Sequence, residues 1–386
     1  LEGIKVVELS TMITASLATM TLASQGAEVI KVEPLGFGDP MRLLGSQKAG
    51  ISALFNNCNR SKRSIAIDIK SDAGRDVVRK LVSEADVLVH NFRPGVMDRL
   101  GLGSEELRAE NSRLIYLAIS GFGNEGPLAD APAYDHVIQA MAGYTSLQGK
   151  GDEFTFMRTL ICDKVTAFIA AQGITAALLA RKDSGTGQHL DISMLHASLA
   201  FLWPDGMMHH TLLDDDAIDL PPMSEYYQTL ETSDGYIALT GMKDEYWEAL
   251  CEIIGRMDLA SDPRFADGLS RLMNMPELMS AFAKTSVARD SETVLDELGE
   301  LGIPCAPCLA QKDLPHHPQV KAIGAIEEQS HPLMGSLRMV SPPVRFAGSR
   351  STLEGPSPSL GQHTRDILRE LGWTNAAIHD LEAAGS

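Results

Sequence analysis

Apolar and polar residues follow one another in the first third of the chain as they do in strands separated by helices. Short apolar or alternating runs, each typical of a strand, lie at 4–9, 27–33, 64–69, 87–91 and 114–119. Helical periodicity fills 15–25, which Gly26 ends, and 71–83, which begins at a Ser or Asp cap. Alternation of this kind predicts an α/β fold, with a largely parallel sheet and helices on both of its faces.

The pattern changes twice further along the chain. Helices are predicted at 134–147 and 165–181, and a turn at 183–188 leads to a strand at 189–193. The acidic 214–216 and the proline-containing 220–222 have the composition of a linker, after which a strand at 236–240 and helices at 245–254 and 291–301 form a second unit. A helix at 364–371 belongs to a tail that returns to the first unit. We therefore predict a large domain of 1–205 and 330–386, a small domain of 225–312, and linkers at 206–224 and 313–329.

The net charge limits the kinds of partner that the protein can bind, and the cysteines indicate its redox environment. The 386 residues include 51 Asp and Glu against 33 Lys and Arg, a net charge of −18, which argues against general nucleic-acid binding. The five cysteines are odd in number and mostly far apart, which favours a reducing, cytoplasmic setting. The most apolar run, 165–180, is too short for a membrane span and predicts a core helix. The first residues lack the pattern of a signal peptide, so we expect none.

Two motifs suggest cofactors that their surroundings disfavour. Residues 121–126 match GxGxxG after a strand, but Pro127 and Pro132 follow, and a dinucleotide site needs a helix to begin across its glycines. We expect a mobile glycine-rich loop beside a site instead. Cys305 and Cys308 form a lone CxxC with prolines at 304 and 307, which indicates a rigid turn rather than a zinc site, because zinc normally requires four regularly spaced ligands.

Basic residues gather around two of the predicted strands. The cluster at 59–63 precedes the strand at 64–69, Lys70 ends that strand, and Arg93 and Arg99 follow the strand at 87–91. Ligands of open parallel sheets bind outside the carboxyl ends of the strands. On an acidic chain, this placement suggests a phosphate-bearing ligand, and ordinary surface charge explains it equally well.

Asp163 stands at the start of the most apolar predicted helix. One interpretation is a helix N-cap, a position that aspartate favours. The other is a partly desolvated carboxylate between apolar neighbours, held ionised by the helix terminus and able to act as a nucleophile or base.

These features together resemble the family III CoA-transferases, a group that includes formyl-CoA:oxalate transferases, carnitine CoA-transferases and α-methylacyl-CoA racemases. The resemblance covers nearly the whole chain and is densest at 1–9, 26–33, 59–70, 91–95, 185–188 and 302–305. It implies a subunit with a large Rossmann-like parallel-sheet domain and a smaller inserted α+β domain. It also implies that two such subunits interlock like linked rings in a homodimer.

The resemblance assigns roles residue by residue. The nucleophilic aspartate of the family matches Asp163, and a tyrosine–acid pair at the acyl site matches Tyr134 and Asp135. Contacts to CoA match Ile67, Lys70, Asn91, Phe92, Arg93, Arg99 and Tyr134. The implied substrates are an acyl-CoA and a carboxylic acid, and the implied chemistry uses no metal and no redox nucleotide. No nucleic acid or membrane partner is implied.

The departures from the family pattern separate its activities. Racemases have a histidine where this chain has Tyr134, and His136 would point elsewhere on a helix. A glutamate that the racemases have near their catalytic pair aligns near Lys243. The catalytic glutamine of the oxalate enzymes aligns with Ile13, and their glycine run is absent around 222–224, which implies an acceptor other than oxalate. We therefore predict transfer of CoA to a carboxylic acid through a covalent intermediate at Asp163, with oxyanion donors in 121–126. The alternatives are an acyl-CoA racemase or epimerase with Asp163 as base, and an inactive CoA-binding protein.

Overall fold

The strands and helices are numbered along the chain, within the part that the computed structural model describes: 1–214, 216–218, 220–240, 243–349, 353 and 355–383, without the side chains at 225 and 226. The strands are β1 (Lys5–Leu9), β2 (Glu28–Glu33), β3 (Gln47–Lys48), β4 (Ile51–Ser52), β5 (Lys62–Ala66), β6 (Val87–His90), β7 (Ile115–Ser120), β8 (His189–Ser193), β9 (Thr229–Glu231), β10 (Tyr236–Leu239), β11 (Cys305–Pro307), β12 (Ile326–His331) and β13 (Gly335–Val340). The α-helices are α1 (Ile13–Ser24), α2 (Ala53–Asn59), α3 (Asp72–Ser83), α4 (Val96–Arg99), α5 (Ser104–Glu110), α6 (Asp135–Met141), α7 (Tyr144–Gln148), α8 (Ile161–Ser184), α9 (Met194–Gly206), α10 (Asp244–Ile254), α11 (Gly268–Met273), α12 (Met275–Ser286), α13 (Ser291–Glu300), α14 (Pro318–Ala322), α15 (Thr364–Glu370) and α16 (Asn375–Ala383).

The chain forms two compact units, Leu1–Leu202 with Lys321–Ser386, and Trp203–Val320. In the second unit, β9, β10 and β11 form an antiparallel sheet, and its core includes Trp247, Phe265 and Phe282. The domain and linker bounds given above stay predictions. Positions 215 and 219 of the predicted linker at 206–224, and 350–352, 354 and 384–386 of the predicted returning segment, lie outside the described residues.

The first unit is built on a six-stranded sheet in the order β5-β2-β1-β6-β7-β8, and every neighbouring pair is parallel. The predicted α/β fold with a parallel sheet is therefore confirmed. From β1 the chain proceeds to β2 on one side, and β6 lies on the other side of β1, so the order reverses between β1 and β6. A doubly wound sheet opens a crevice at the carboxyl ends of the strands that flank such a reversal, and this is where ligands bind.

Helices α1 and α8 pack along one another next to this reversal. Both have small side chains on the buried side, including Ala15 and Ala18 of α1 and Ala167 and Ala170 of α8, each fully buried. Small side chains let two helix backbones approach closely. Helix α8 is long and apolar enough to cross a membrane by length and composition, but more than half of its most apolar stretch is buried within the protein, as in a core helix.

Two predicted elements differ from the structure. The strand predicted at 64–69 lies at Lys62–Ala66. The polar side chains of Lys62 and Ser64 are buried and hydrogen-bonded within the protein rather than exposed to solvent. The alternation of polar and apolar residues therefore does not mark the ends of this strand. The single helix predicted at 134–147 is two helices, α6 and α7. They are separated at Gly143, whose φ of +88° no α-helix accommodates.

Candidate active site

A crevice of about 250 Å³ opens at the carboxyl ends of β1, β6 and β7, at the reversal of the sheet. All of its lining residues belong to the first unit. They come from the loops that follow the three strands, from the segment before α6 and from the first turn of α8. Those named in the argument below are Thr11, Met12, Thr14, Asn91, Phe92, Arg93, Gly121, Tyr134 and Asp163.

Asp163 lines this crevice from the first turn of α8, with 7 % of the residue exposed. The Thr14 hydroxyl, from the start of α1, donates a hydrogen bond to Asp163 Oδ1. Within the described part of the chain, Oδ2 receives no hydrogen bond, so it is the oxygen left for chemistry in the crevice. The N-cap interpretation of Asp163 is wrong, because Leu160 is the capping position and the carboxylate bonds Thr14 instead.

The surroundings of Asp163 make its carboxylate unusually basic. Burial raises the pKa of Asp163 to about 6, the hydrogen bond from Thr14 opposes this rise, and the charge of Asp135 adds to it. Near neutral pH the group is therefore ionised yet poorly solvated, which suits a carboxylate nucleophile or base. The neighbouring Cys162 is fully buried and burial raises its pKa to about 11, so it does not supply a thiolate at neutral pH.

The Asp135 carboxylate is hydrogen-bonded to the backbone of Asp163. It is 2 % exposed, and its Oδ2 accepts a hydrogen bond from the backbone N–H of Asp163 at 2.9 Å. Its Oδ1 accepts from Gln139 Nε2 at 2.6 Å, and Gln139 also bonds the backbone of Met157 and Thr159 just before α8. Both carboxylate oxygens of Asp135 already accept hydrogen bonds from the protein. A direct contact of Asp135 with substrate stays a prediction. Tyr134, by contrast, is 61 % exposed and lines the crevice.

A strained turn carries the chain from β1 into α1. Met12 has φ +64° and ψ −162°, a backbone region that residues other than glycine rarely occupy, and that costs about 1–3 kcal/mol. Asp39 Oδ1 accepts from Met12 N–H at 3.1 Å. The Asn91 side chain makes two hydrogen bonds with the backbone of Thr11. Its Nδ2 donates to Thr11 O at 2.6 Å, and its Oδ1 accepts from Thr11 N–H at 3.1 Å.

The basic cluster at 59–63 does not serve as a phosphate site. Lys62 is fully buried and its Nζ donates to Glu8 Oε2 at 2.7 Å, while Arg60 donates to Val340 O. Arg63 pairs with Glu28 and Glu370. The expectation of a phosphate contact there is wrong, because internal acceptors already occupy these basic groups.

Beside Lys62, Lys31 donates to the other carboxylate oxygen of Glu8 at 2.6 Å and pairs with Asp39 Oδ2 at 3.0 Å, so a buried ionic network underlies the strained turn. Sequence analysis missed this network, and it missed Thr14 and Gln139 as well. The available signal was a set of polar residues within otherwise apolar strands and helices.

Some of the remaining predicted CoA contacts line the crevice and others do not. Asn91, Phe92 and Arg93 line it, whereas Lys70, which follows β5, and Arg99, the last residue of α4, do not. The side chains of Lys70, Arg93 and Arg99 are exposed. Ile67 has its side chain in the core, at 1 % exposure, so it would reach a ligand through its backbone. These CoA contacts stay predictions.

The glycine-rich loop lacks the helix of a dinucleotide site, as predicted, but the turn predicted at the CxxC pair is wrong, because Cys305–Pro307 pairs with β10 as a strand. No helix begins across 121–126, since the next helix after β7 starts at Asp135, and Gly121 lines the crevice. Cys305 lies in β11 with Cys308 just beyond it, exposed. Among the described residues, no group of three or more His, Cys, Asp or Glu side chains is arranged to hold a metal ion.

Comparison with known proteins identifies the family of this chain. The profile of CoA-transferase family III matches residues 1–364. The chain belongs to that family. It is 33 % identical to the acetyl-CoA:oxalate CoA-transferase of Acetobacter aceti, over 96 % of this chain and 95 % of the relative. It is 30 % identical to the succinyl-CoA:glutarate CoA-transferase of Mus musculus, over 100 % of this chain and 89 % of the relative.

A solved structure has the same fold. The crystal structure of a CAIB/BAIF family protein from Brucella suis superposes with a TM-score of 0.85 at 33 % identity, over 96 % of this chain and 98 % of that one. This family III CoA-transferase therefore uses CoA thioesters and carboxylates as substrates. The crevice at the sheet reversal, which Asp163 lines, is the candidate site for this chemistry.

Proposed function

We propose that this enzyme transfers CoA from an acyl-CoA to a carboxylic acid through a covalent intermediate at Asp163. Asp163 Oδ2 attacks the thioester carbonyl, a C–O bond forms, and the C–S bond breaks to release CoA thiolate. The thiolate then attacks Cγ of Asp163, which leaves an aspartyl-CoA thioester and frees the donor acid as its carboxylate. The acceptor acid repeats these steps in reverse. Overall, one thioester is exchanged for another of similar energy, so neither ATP nor a redox step is needed.

The observation that carries this proposal is the state of the Asp163 carboxylate. Asp163 lines the crevice, one of its oxygens accepts from Thr14, and its pKa is raised to about 6 by burial. A fixed, ionised and poorly hydrated carboxylate is a stronger nucleophile than one in water. Tyr134 also lines the crevice. The family resemblance implies that a racemase would have its histidine at this position, which favours transfer over racemisation.

The CoA substrate is proposed to enter along the loops after β5 and β6. Lys70, Arg93 and Arg99 are exposed there and are suited to its phosphates, and Asn91, Phe92 and the backbone of Ile67 to its pantetheine arm. Tyr134 would contact the thioester end, with Asp135 behind it. Binding would need no metal.

The acceptor is proposed to be a small carboxylic acid other than oxalate. A crevice of about 250 Å³ leaves room for a short acyl group beside the thioester. Ile13 stands where the oxalate enzymes have their catalytic glutamine, and residues 222–224 lack the glycine run of those enzymes. The subunits are further proposed to form an interlocked homodimer in the cytoplasm, as the family resemblance implies.

Chemical trapping tests the covalent step. The protein is mixed with acetyl-CoA or succinyl-CoA without acceptor, reduced with borohydride, and its peptides are mapped by mass spectrometry. We expect conversion of Asp163 to the alcohol homoserine, because borohydride reduces a thioester but not a carboxylate. Asp163→Asn should abolish both labelling and CoA transfer.

Asp183→Asn is the matched control, since Asp183 is an exposed aspartate near the other end of α8. It should label and turn over as the wild type does. Turnover of CoA by a protein that is never reduced at Asp163 would contradict the proposal. Deuterium incorporation at the acyl α-carbon in heavy water, without transfer, would point to the racemase instead, and binding without either reaction would point to an inactive CoA-binding protein.

A further inference from the structure

The Thr14 hydroxyl has a defined place relative to the chemistry proposed above. It donates to Asp163 Oδ1, although 149 positions separate the two residues in the chain. Thr14 is 3 % exposed, so water does not compete strongly for this contact. Because Thr14 is β-branched and lies in a helix, its side chain has few rotamers available, which helps to keep the hydroxyl aimed at the same oxygen.

The two oxygens of Asp163 have different fates in the proposed reaction. Oδ2 becomes the bridging oxygen when it attacks the thioester, and Oδ1 remains as the carbonyl oxygen of the aspartyl anhydride. When CoA thiolate attacks Cγ, the carbonyl electron pair moves onto Oδ1. The negative charge of this second tetrahedral state is therefore located on the atom that the Thr14 hydroxyl already contacts.

We propose that Thr14 is a further catalytic residue, whose hydroxyl stabilises the oxyanion that forms on Asp163 itself when CoA attacks the aspartyl carbonyl. This inference rests on the proposed function. It assigns a hydrogen-bond donor to the step in which CoA attacks the carbonyl of Asp163. Backbone N–H groups in 121–126 would stabilise the oxyanion of the other step, in which Asp163 attacks the carbonyl of the substrate. A donor aimed in advance at a developing oxyanion requires no reorganisation during the step, which is the basis of oxyanion stabilisation.

The protein positions Thr14 through the strained turn that precedes it. Met12 is held at φ +64° by the Asp39 carboxylate, and Thr11 is clamped by the Asn91 side chain. Asp39 is in turn paired with the fully buried Lys31. A backbone in such a region persists where its surroundings hold it, and such strain is found at functional sites. Here the strained turn starts α1 so that its first turn faces Asp163.

Thr14→Val tests this role, because valine keeps the shape of threonine and removes the donor. We expect kcat for CoA transfer from succinyl-CoA to fall about 10²–10³-fold, with KM changed little, as for loss of one oxyanion donor. Formation of the Asp163 thioester in single-turnover trapping should slow by the same factor. The acidic limb of the pH–rate profile should move to higher pH, since the hydrogen bond from Thr14 lowers the pKa of Asp163.

Thr14→Ser and Thr285→Val are the comparison variants. Serine keeps the hydroxyl, so it should recover most of the rate. Thr285 lies in a helix of the second unit and donates to the carbonyl of Phe282 in its own helix, so Thr285→Val should match the wild type. Failure of Thr14→Ser to recover a rate lost in Thr14→Val would show that shape rather than the hydroxyl matters, and would overturn the inference.

The remaining outcomes separate this inference from the proposed function. If wild type and Thr14→Val label Asp163 at the same rate, with the same pH profile, Thr14 has no such role and the covalent mechanism stands. If the wild type turns over and is never labelled at Asp163, the covalent mechanism fails and the role of Thr14 fails with it.

Discussion

At the scale of single residues, the site depends on two neighbours that act on Asp163 in opposite directions. Burial raises the pKa of Asp163 most, the hydroxyl of Thr14 lowers it, and the nearby charge of Asp135 raises it. Asp135 also accepts the backbone N–H of Asp163, so the same group fixes the position of the carboxylate and increases its basicity. The balance leaves Asp163 ionised at neutral pH with little hydration.

Asp135→Asn should therefore shift the pH–rate profile the other way from Thr14→Val. Removing the negative charge lowers the pKa of Asp163, so the acidic limb should move to lower pH. We also expect kcat to fall at neutral pH, because the amide cannot accept from both Asp163 and Gln139 as the carboxylate does. The measurement is the pH dependence of transfer, with Asp183→Asn as the control that should leave the limb in place. A limb that stays fixed or moves to higher pH would contradict this account.

At the scale of elements, a buried ionic network joins three strands of the sheet. Glu8 of β1 lies between Lys31 of β2 and Lys62 of β5, and all three side chains are fully buried. Burial alone would raise the pKa of Glu8, but the two ammonium groups hold it well below its usual range. Because Lys31 also pairs with Asp39, which holds the strained turn, the network connects the sheet to the active site.

Lys62→Met should destabilise the fold by about 3–5 kcal/mol, as expected when one partner of a buried charged group is removed. The reason is that Glu8 would keep a single counter-charge in a fully buried position. Denaturant unfolding at neutral pH measures the change in free energy. Lys80→Met is the control, since the exposed pair of Lys80 with Glu84 should contribute less than about 1 kcal/mol. If the two variants had equal free energies of unfolding, the buried network would not contribute the expected stability.

At the scale of the whole molecule, the first unit carries apolar surface that bears on the proposed dimer. A cavity of about 710 Å³ is lined mainly by apolar side chains, and Phe168, Val340 and Val344 in its wall are each more than half exposed. Exposed apolar patches of this kind are typical of association surfaces. The proposed interlocked dimer would supply the partner that covers them.

An interlocked dimer predicts that subunits do not exchange under native conditions, because linked rings separate only if a chain unfolds. Two differently tagged preparations should each have twice the mass of one chain by light scattering. After mixing, they should yield no doubly tagged dimer until denaturant is added and removed. Exchange within hours in native buffer would exclude interlocking, and a monomeric mass would exclude the dimer.

The sequence by itself determined the elements and their class. Strand and helix periodicity gave the parallel sheet, the two prolines after 121–126 excluded a helix there, and Asp163 stood out as a carboxylate at the start of an apolar helix. These features depend on residues that are neighbours in the chain, where local patterns carry the information. Resemblance to a family supplied the reaction and pointed to Asp163.

The tertiary structure alone decided what surrounds that carboxylate. Thr14 contacts Asp163, which is 149 positions away in the chain, and Lys62 contacts Glu8, which is 54 positions away. A local sequence pattern therefore predicts neither contact. The basic cluster at 59–63 has the sequence of a ligand site, yet Lys62 is used internally, because a buried carboxylate requires a counter-charge. Periodicity places side chains relative to their own strand or helix. The pKa of a group is set instead by charges and donors that the fold brings from distant parts of the chain.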